Sequence, residues 1–553
     1  MLSYPKFQQY NISSFLFEYK KQFFYILGSA LIFGSSFHEY HIIPNQFRYL
    51  IFVSLVPFLT AIKHINKVNS FKKKFLYYFL STIFFGLVTE LIAFLWVYNS
   101  IENFFSTSKL LTTFIYILFC FISSFYYFII FFPLFIFFYI KRNISILIIT
   151  SLSLTFILLE NTFPRISPWY FGYFLFFEED MSQVASFLGP LGGSFFVFFV
   201  NLYFAFYAKK IYSYITVFSI IFSIKIGLNF RESVIKKEPF LQYKIGFIQP
   251  NFSPNGMSEI KLGINKEIIL SNLKSFKNKS VEFVALPESI IYYTFGKSPE
   301  DLDDIKKFAK ESNIPIATQY LQVLDNRFAK VILQAEGNAL VIKSAYSKAV
   351  IVNSAGELTN EYTKWNPMPF GEILPFFSDY ERISNYFFES TSQRLRILKG
   401  FKAIPIDYKN IKIGFYICYD TIDKNLHNLL ARNGAKFLIN LSNFYWMSNS
   451  NANFVFSIIN QFKAIETERS VFYLTNNGPT ILFDSFGHKI FDNKKILNAD
   501  YDTIKIPYLN SEKESFYGKN YEIINITFMI FGIISYINFI IIFIKKKGSV
   551  ENN

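Results

Sequence analysis

Ile411-Lys-Ile-Gly-Phe-Tyr-Ile-Cys418-Tyr-Asp-Thr421 is the stretch that decides how the second half of this chain is read. Its Ile, Phe and Tyr residues have strand composition, and helix-forming sequence follows. Cys418 therefore falls at a strand-to-helix elbow, where a side chain can stand above a sheet edge. A thiolate near a cation or a helix N-terminus is a strong nucleophile at neutral pH. The alternative is a buried, inert Cys closing a core strand. Cys120 is the only other cysteine and lies inside an apolar run, so a disulfide framework is excluded.

Working outward, similar short runs recur at 243–248, 281–286, 314–320, 339–343, 348–352, 436–440, 471–475 and 480–483. Helical stretches are expected at 300–312, 421–433 and 452–469, which reads as one α/β or layered α+β domain over 229–520. A second strand end carries Val284-Ala-Leu-Pro-Glu288-Ser. A carboxylate held there in a partly dry mouth gains a raised pKa and can serve as a general base, or it is an exposed turn residue. Lys364 lies in Glu361-Tyr-Thr-Lys364-Trp-Asn-Pro-Met-Pro-Phe-Gly-Glu372, a loop bounded by Pro and Gly. A fixed ammonium can stabilise an oxyanion and depress a thiol pKa, while a lone Lys is ordinarily solvated.

The remainder is unlike a soluble protein. Of 553 residues, 52% are hydrophobic, 17% are charged and 73 are Phe. Ordinary soluble domains carry about 25% charge. Apolar runs near 22–37, 49–62, 75–98, 110–140, 144–159, 185–207, 212–228 and 523–544 are candidate membrane spans. The second and fifth are short, and Pro133 is a plausible break in the fourth. The segment 161–177, with its prolines, fits a re-entrant or interfacial piece.

Lys20 and Lys21, then Lys63, Lys67, Lys72, Lys73 and Lys74, then Lys141 and Arg142, Lys209 and Lys210, and finally Lys545, Lys546 and Lys547 fall on alternate loops. The other loops hold little beyond Arg48, Lys109 and Arg165. This alternation predicts cytoplasmic termini and an extracytoplasmic 229–520 segment. It also assigns the net charge of +15 largely to membrane orientation, so nucleic acid is not an expected partner. No cleavable signal peptide is evident at the start, so the first helix is expected to remain as an anchor.

VALPE (284–288), K-x-x-P-x-PFGE (364–372) and ICYD (417–420) resemble the Glu, Lys and Cys motifs of the nitrilase superfamily. Joined to the membrane runs, they resemble the apolipoprotein N-acyltransferase family over almost the full chain. Trp96-Val-Tyr-Asn-Ser100, Glu160 to Gly172, Leu441-Ser-Asn-Phe-Tyr-Trp446, Gln461 to Arg469 and Ser470 to Thr480 add to the likeness. Departures are Phe444 where the family has Asp, Asp420 where it commonly has Glu, Asn366 for His and Lys463 for Arg.

The resemblance implies a polytopic α-helical membrane domain of about eight spans with an extracytoplasmic nitrilase-like α-β-β-α sandwich. The expected division is 1–228, 229–520 and 521–553. The implied reaction moves an acyl chain from a phospholipid, expected to be phosphatidylethanolamine, through a Cys418 thioester. The acceptor is the α-amine of a diacylglyceryl-lipoprotein. Glu288 would be the base and Lys364 the oxyanion stabiliser, with Glu372, Tyr419, Asp420, Asn443, Trp446 and Glu466 in supporting or substrate-binding roles. No cofactor or metal is required, a monomer is expected, and the implied location is a bacterial inner membrane. Alternatives are a membrane-anchored nitrilase-type amidase and a non-catalytic lipoprotein-binding paralogue. The aromatic stretches Phe376 to Phe388 and Tyr445 to Met447 are read as bilayer-facing lids, or as core.

Overall fold

The computed structural model describes residues 20–37, 45–68, 70–105, 108–140, 144–165, 169–207, 233, 240–253, 259–291, 302–324, 344–374, 396–447, 452–493, 498–510 and 514–551. The N-terminal part is helical. Its principal elements are α1 (Lys20–Ser35), a 3-10 segment (Asn45–Phe52), α2 (Val56–Lys63), α3 (Phe71–Ala93), α4 (Leu95–Phe105), α5 (Lys109–Ile130), α6 (Phe132–Ile140), α7 (Ile146–Thr162), a 3-10 segment (Phe171–Phe177) and α8 (Ala185–Tyr207). The phenylalanines fill the spaces between these helices. Phe58 packs against Phe85 and Phe131 with ring centroids 4.6 and 4.9 Å away, a spacing that aromatic edges and faces favour.

Among the described residues, four helices are long and apolar enough to cross a membrane: α3, α5, α8 and Phe516–Lys545 of the C-terminal helix. The 49–62 run departs from the expected single span. It divides into the 3-10 segment and α2, and Asn201 of α8 takes up the backbone groups freed at the break. Its Oδ1 accepts from Leu55 N at 2.8 Å and its Nδ2 donates to Ile51 O at 2.8 Å. Apolar surroundings require such internal satisfaction. The 110–140 run breaks at Phe131, ahead of Pro133, and the 75–98 run breaks at Phe94. Phe171–Phe177 forms a short, largely buried 3-10 piece rather than a long helix. The 212–228 run lies outside the described residues.

Among the described residues, the C-terminal part is built on twelve strands: β1 (Phe240–Gln249), β2 (Val284–Ala285), β3 (Ile316–Val323), β4 (Ala345–Val352), β5 (Tyr362–Thr363), β6 (Ile406–Tyr408), β7 (Ile411–Ile417), β8 (Phe437–Ser442), β9 (Val471–Thr475), β10 (Ile481–Phe483), β11 (Lys489–Asp492) and β12 (Asp500–Leu509). They form two six-stranded sheets, ordered β12-β1-β2-β3-β4-β5 and β11-β10-β9-β8-β7-β6. Facing aromatics join the sheets: Phe247 with Phe472 (5.6 Å) and Tyr243 with Phe437 (5.2 Å).

Helices α9 (Glu259–Lys274) and α10 (Asp303–Ser312) cover the outer face of the first sheet through Ile269, Leu273, Ile305 and Phe308. Helices α11 (Leu426–Arg432) and α12 (Ala452–Thr467) cover the second. A final helix, α13 (Phe516–Glu551), follows β12. The other face of α12 meets the 3-10 segment of the helical part, with Phe462 against Tyr173 at 5.0 Å and Phe454 against Phe176 at 5.3 Å. The second sheet is thus layered onto the helical part.

Most expected strands are present, and β7 and β9 keep their expected bounds. The run 339–343 lies outside the described residues. The expected helix 421–433 is instead a 3-10 turn, Cys418–Ile422, followed by α11, because the Asp423 carboxylate caps the amides of Asn425 and Leu426 and starts a new helix.

Candidate active site

Each of the three proposed reactive residues stands just past a strand end, which brings segments distant in sequence to one edge of the sandwich. Lys364 follows β5, Cys418 follows β7, and Glu288 follows β2 and Pro287. Lys364 is fully buried. Its Nζ donates to Glu288 Oε1 at 3.0 Å and to Glu372 Oε1 at 2.7 Å. Glu372 Oε2 accepts from Met368 N at 2.7 Å, so the PFGE turn closes on its own carboxylate.

Cys418 has φ +49°, a left-handed conformation that costs a non-glycine residue about 1–3 kcal/mol and persists only when its surroundings impose it. The hydroxyl of Thr421 donates to Cys418 O at 2.8 Å, and Asn440 Nδ2 donates to that hydroxyl at 2.6 Å. On the other side, Asp420 Oδ2 accepts from Ile417 N at 3.0 Å. Ser289, next to Glu288, also has positive φ (66°), and its N–H donates to Gln319 Oε1 at 2.8 Å.

The electrostatics follow from burial. Desolvation raises the Glu288 carboxyl above its usual 4.5, with Lys364 opposing and Glu372 adding to the rise. Burial also pushes the Cys418 thiol well above its usual 9.0, and the neighbouring Glu288 charge adds to this; Lys364 and the Asn443 backbone N–H act against it. Lys364 is desolvated, yet the two carboxylates raise its pKa well above normal, so it stays charged. The thiol thus remains protonated beside a carboxylate to which it hydrogen-bonds. This arrangement can move one proton from sulfur to Glu288 next to a fixed positive charge.

Of the supporting residues, Glu372 joins the cluster directly. Asp420 braces it: Oδ1 accepts from Asn366 N at 2.5 Å and Oδ2 from the Tyr362 hydroxyl at 2.7 Å. Asn366, where the family has His, also donates through Nδ2 to Asp423 Oδ2 at 2.7 Å. Tyr419 is buried beside Phe456. Asn443 presents its amide to the sulfur, while its Oδ1 accepts from Tyr445 N at 3.1 Å. Phe444 is buried against Phe456 and Tyr473, so this departure fills core space.

The turn Tyr445–Met447 packs on α4, which joins the site to the helical part. Its Met447 is buried; the Trp446 side chain and the 376–388 stretch lie outside the described residues. Glu466 departs from expectation. Its Oε2 accepts from Lys463 Nζ at 3.1 Å and its backbone oxygen accepts from Ser515, placing it at the seam with α13 rather than in the Lys364 cluster. Tyr362 and Gln319 are braces that the motifs did not single out. Tyr362, two residues before Lys364 in an alternating strand, carried a readable signal.

Two family models match the chain. The carbon-nitrogen hydrolase model matches residues 263–511, and the fold of that region is of the nitrilase-like, carbon-nitrogen hydrolase class. The apolipoprotein N-acyltransferase N-terminal domain model matches residues 29–203. The two matches together make the chain similar to the apolipoprotein N-acyltransferases in both its helical part and its sandwich. The Borreliella burgdorferi apolipoprotein N-acyltransferase is 27% identical over 60% of this chain, an alignment that spans 62% of that relative's length. The Chlorobaculum tepidum apolipoprotein N-acyltransferase is 24% identical over 87% of this chain and 90% of its own. An amidase from Nesterenkonia sp. aligns in structure with a TM-score of 0.32 at 12% identity, covering 48% of this chain and 90% of the amidase.

Proposed function

We propose that this protein, an acyltransferase of lipoprotein biosynthesis, takes its acyl chain from a phospholipid and passes it through Cys418. Glu288 accepts the thiol proton as sulfur attacks the ester carbonyl. The tetrahedral oxyanion forms beside the Lys364 ammonium. Collapse expels the glycerol oxygen, which takes the proton from Glu288 and leaves as a lysophospholipid. In the second step the α-amine of a diacylglyceryl-cysteine attacks the thioester. Its proton returns through Glu288 to the departing sulfur, giving an amide and the free thiol. The observation that carries this reading is the buried Lys364 bridging Glu288 and Glu372 beside Cys418.

Phosphatidylethanolamine is the proposed donor and a monomer the proposed state. The proposed arrangement has eight spans, a membrane part over 1–228, an extracytoplasmic catalytic part over 229–520, and a C-terminal span and tail over 521–553. The alternating basic loops and the seam between α12 and the helical part support it. Both substrates are lipid-borne, which accounts for a hydrolase-like domain held by apolar helices at both ends.

The test is mass spectrometry of the purified enzyme incubated with phospholipid alone. An acyl adduct is expected on the Cys418 peptide, labile to neutral hydroxylamine, absent from Cys418→Ala and strongly reduced in Cys418→Ser. An adduct on another residue, or triacylation by the Ala variant, rejects Cys418 as the nucleophile.

A further inference from the structure

Phe401 is 80% exposed, more than any other large apolar side chain described in the sandwich. It is flanked by exposed Lys399 and Lys402, with Ile404 43% exposed just beyond. The acyl-transfer chemistry uses none of these residues.

The segment is fixed at both ends. Gly400 N donates to Lys364 O at 2.7 Å, and the two backbones are so close that a Cβ on Gly400 would lie 2.5 Å from Thr363 O. Lys399 Nζ sits 5.9 Å from the centre of the Trp365 ring. On the far side, Asn433 Nδ2 at the end of α11 donates to Ala403 O at 2.6 Å. The preceding residue, Arg432, pairs with Glu522 of α13 at 3.3 Å and lies over Tyr521. One residue past Glu522, the apolar run of α13 shows its side chains outward: Ile523 is 67% and Ile526 54% exposed. Phe401 therefore belongs to a short strap running from the lysine loop to the place where α13 starts its apolar run.

We infer that Lys399–Ile404 is an interfacial anchor, seated in the headgroup layer of a bilayer containing anionic phospholipid. An aromatic ring between two lysines suits that layer: the ring takes the acyl boundary, the ammonium groups reach the phosphates, and the aliphatic stems bridge the two. The paired cations select an anionic lipid surface over an apolar protein face, whose core is depleted of lysine. The inference rests on the membrane arrangement proposed above and not on the acyl-transfer steps. Its consequence is that the lipid surface and the Lys364 backbone are joined by one tight contact.

The test uses the full chain in vesicles. Phe401→Trp is compared with the parent, whose four tryptophans supply the background. The added fluorescence should be blue-shifted and quenched by brominated phospholipid, more strongly when anionic lipid is included. In the same background, Lys399→Gln with Lys402→Gln should remove the anionic increment and leave quenching in zwitterionic vesicles. Phe401→Asp should reduce turnover of vesicle-borne donor by roughly tenfold, the order expected for losing one buried aromatic side chain. It should leave the rate of Cys418 alkylation unchanged.

An added tryptophan that emits as in water and is not quenched overturns the anchor, as does quenching insensitive to anionic lipid. Quenching needs no turnover. Loss of the Cys418 adduct with quenching intact would reject the chemistry and keep the anchor, and the reverse result would do the opposite.

Discussion

The Tyr362 hydroxyl donates to Asp420 Oδ2 at 2.7 Å, joining the strand that leads into Lys364 to the turn that opens with Cys418. Tyr362 lies in the first sheet, and Asp420 lies in the 3-10 turn that follows β7 of the second. Asp420 also accepts from the Ile417 and Asn366 amides, so one carboxylate sets both the nucleophile elbow and the lysine loop. Asp rather than Glu fits this enclosed position because both its oxygens are met by groups close at hand.

Tyr362→Phe removes that tie and keeps the ring. Hydrogen bonds to charged groups contribute about 1.5–3 kcal/mol, so acyl transfer should fall roughly ten- to a hundredfold, mostly in kcat. An unchanged kcat with a raised KM would show that the bond does not hold the reacting groups in place.

Lys364→Arg preserves charge but replaces a compact ammonium with a planar fork. In a fully buried site between two carboxylates that shape does not fit, and most activity should be lost. Lys364→Met should also lower the thermal midpoint, because Glu288 and Glu372 lose their shared cation. Near-normal turnover by the purified Arg variant would mean that another group meets the oxyanion.

The pH profile has a defined shape. Glu288 must be ionised to act as base, and burial raises its pKa, so the acid limb of kcat/KM should lie above 4.5. Lys364, raised above normal, keeps its charge throughout and sets no limb near neutrality.

Stability gives a second reading of the same burial. Asp420 is raised from 3.8 to about 7, chiefly by desolvation. The folded state then holds a proton that the unfolded chain has released, and the stability this gives is complete below 3.8 and lost as pH rises to about 7. The difference in denaturation midpoint between the parent and Asp420→Asn should drift over that window and level off above it. A constant difference would remove Asp420 from the account.

A reporter fused near Lys210 is expected to read cytoplasmic, and reporters near Glu259 or Asn510 extracytoplasmic. A cytoplasmic reading at Glu259 would reverse the proposed orientation of the sandwich.

The ends of strands carried most of what was legible in the sequence. Glu288, Lys364, Glu372 and Cys418 follow strand-like runs or Pro/Gly turns, and those local signals place them where they are found. The braces were less visible because they depend on pairing between distant segments. Tyr362 meets Asp420, and Gln319 holds Ser289 N, only once the sheets are assembled. Glu466 was drawn toward the site by motif alone, whereas its buried partner Lys463 holds it at the seam. In the 49–62 run composition hid a break, since apolar content says nothing of the Asn201 that makes the break tolerable. β12 was missed because Asp500, Asp502 and Lys505 obscure its pattern, although Ile504, Ile506 and Tyr508 all face inward on alternate positions.

β12 has a wider consequence. It pairs antiparallel with β1 along its whole length, with Phe240 opposite Leu509. The first and last residues of the sandwich are therefore neighbours across one ladder, about 5 Å apart. The domain's incoming and outgoing connections lie side by side, at one corner of a module that also packs on the helical part through α12. Such a module can be added to a helical bundle, or removed from one, without changing the distance between the helices on either side of it.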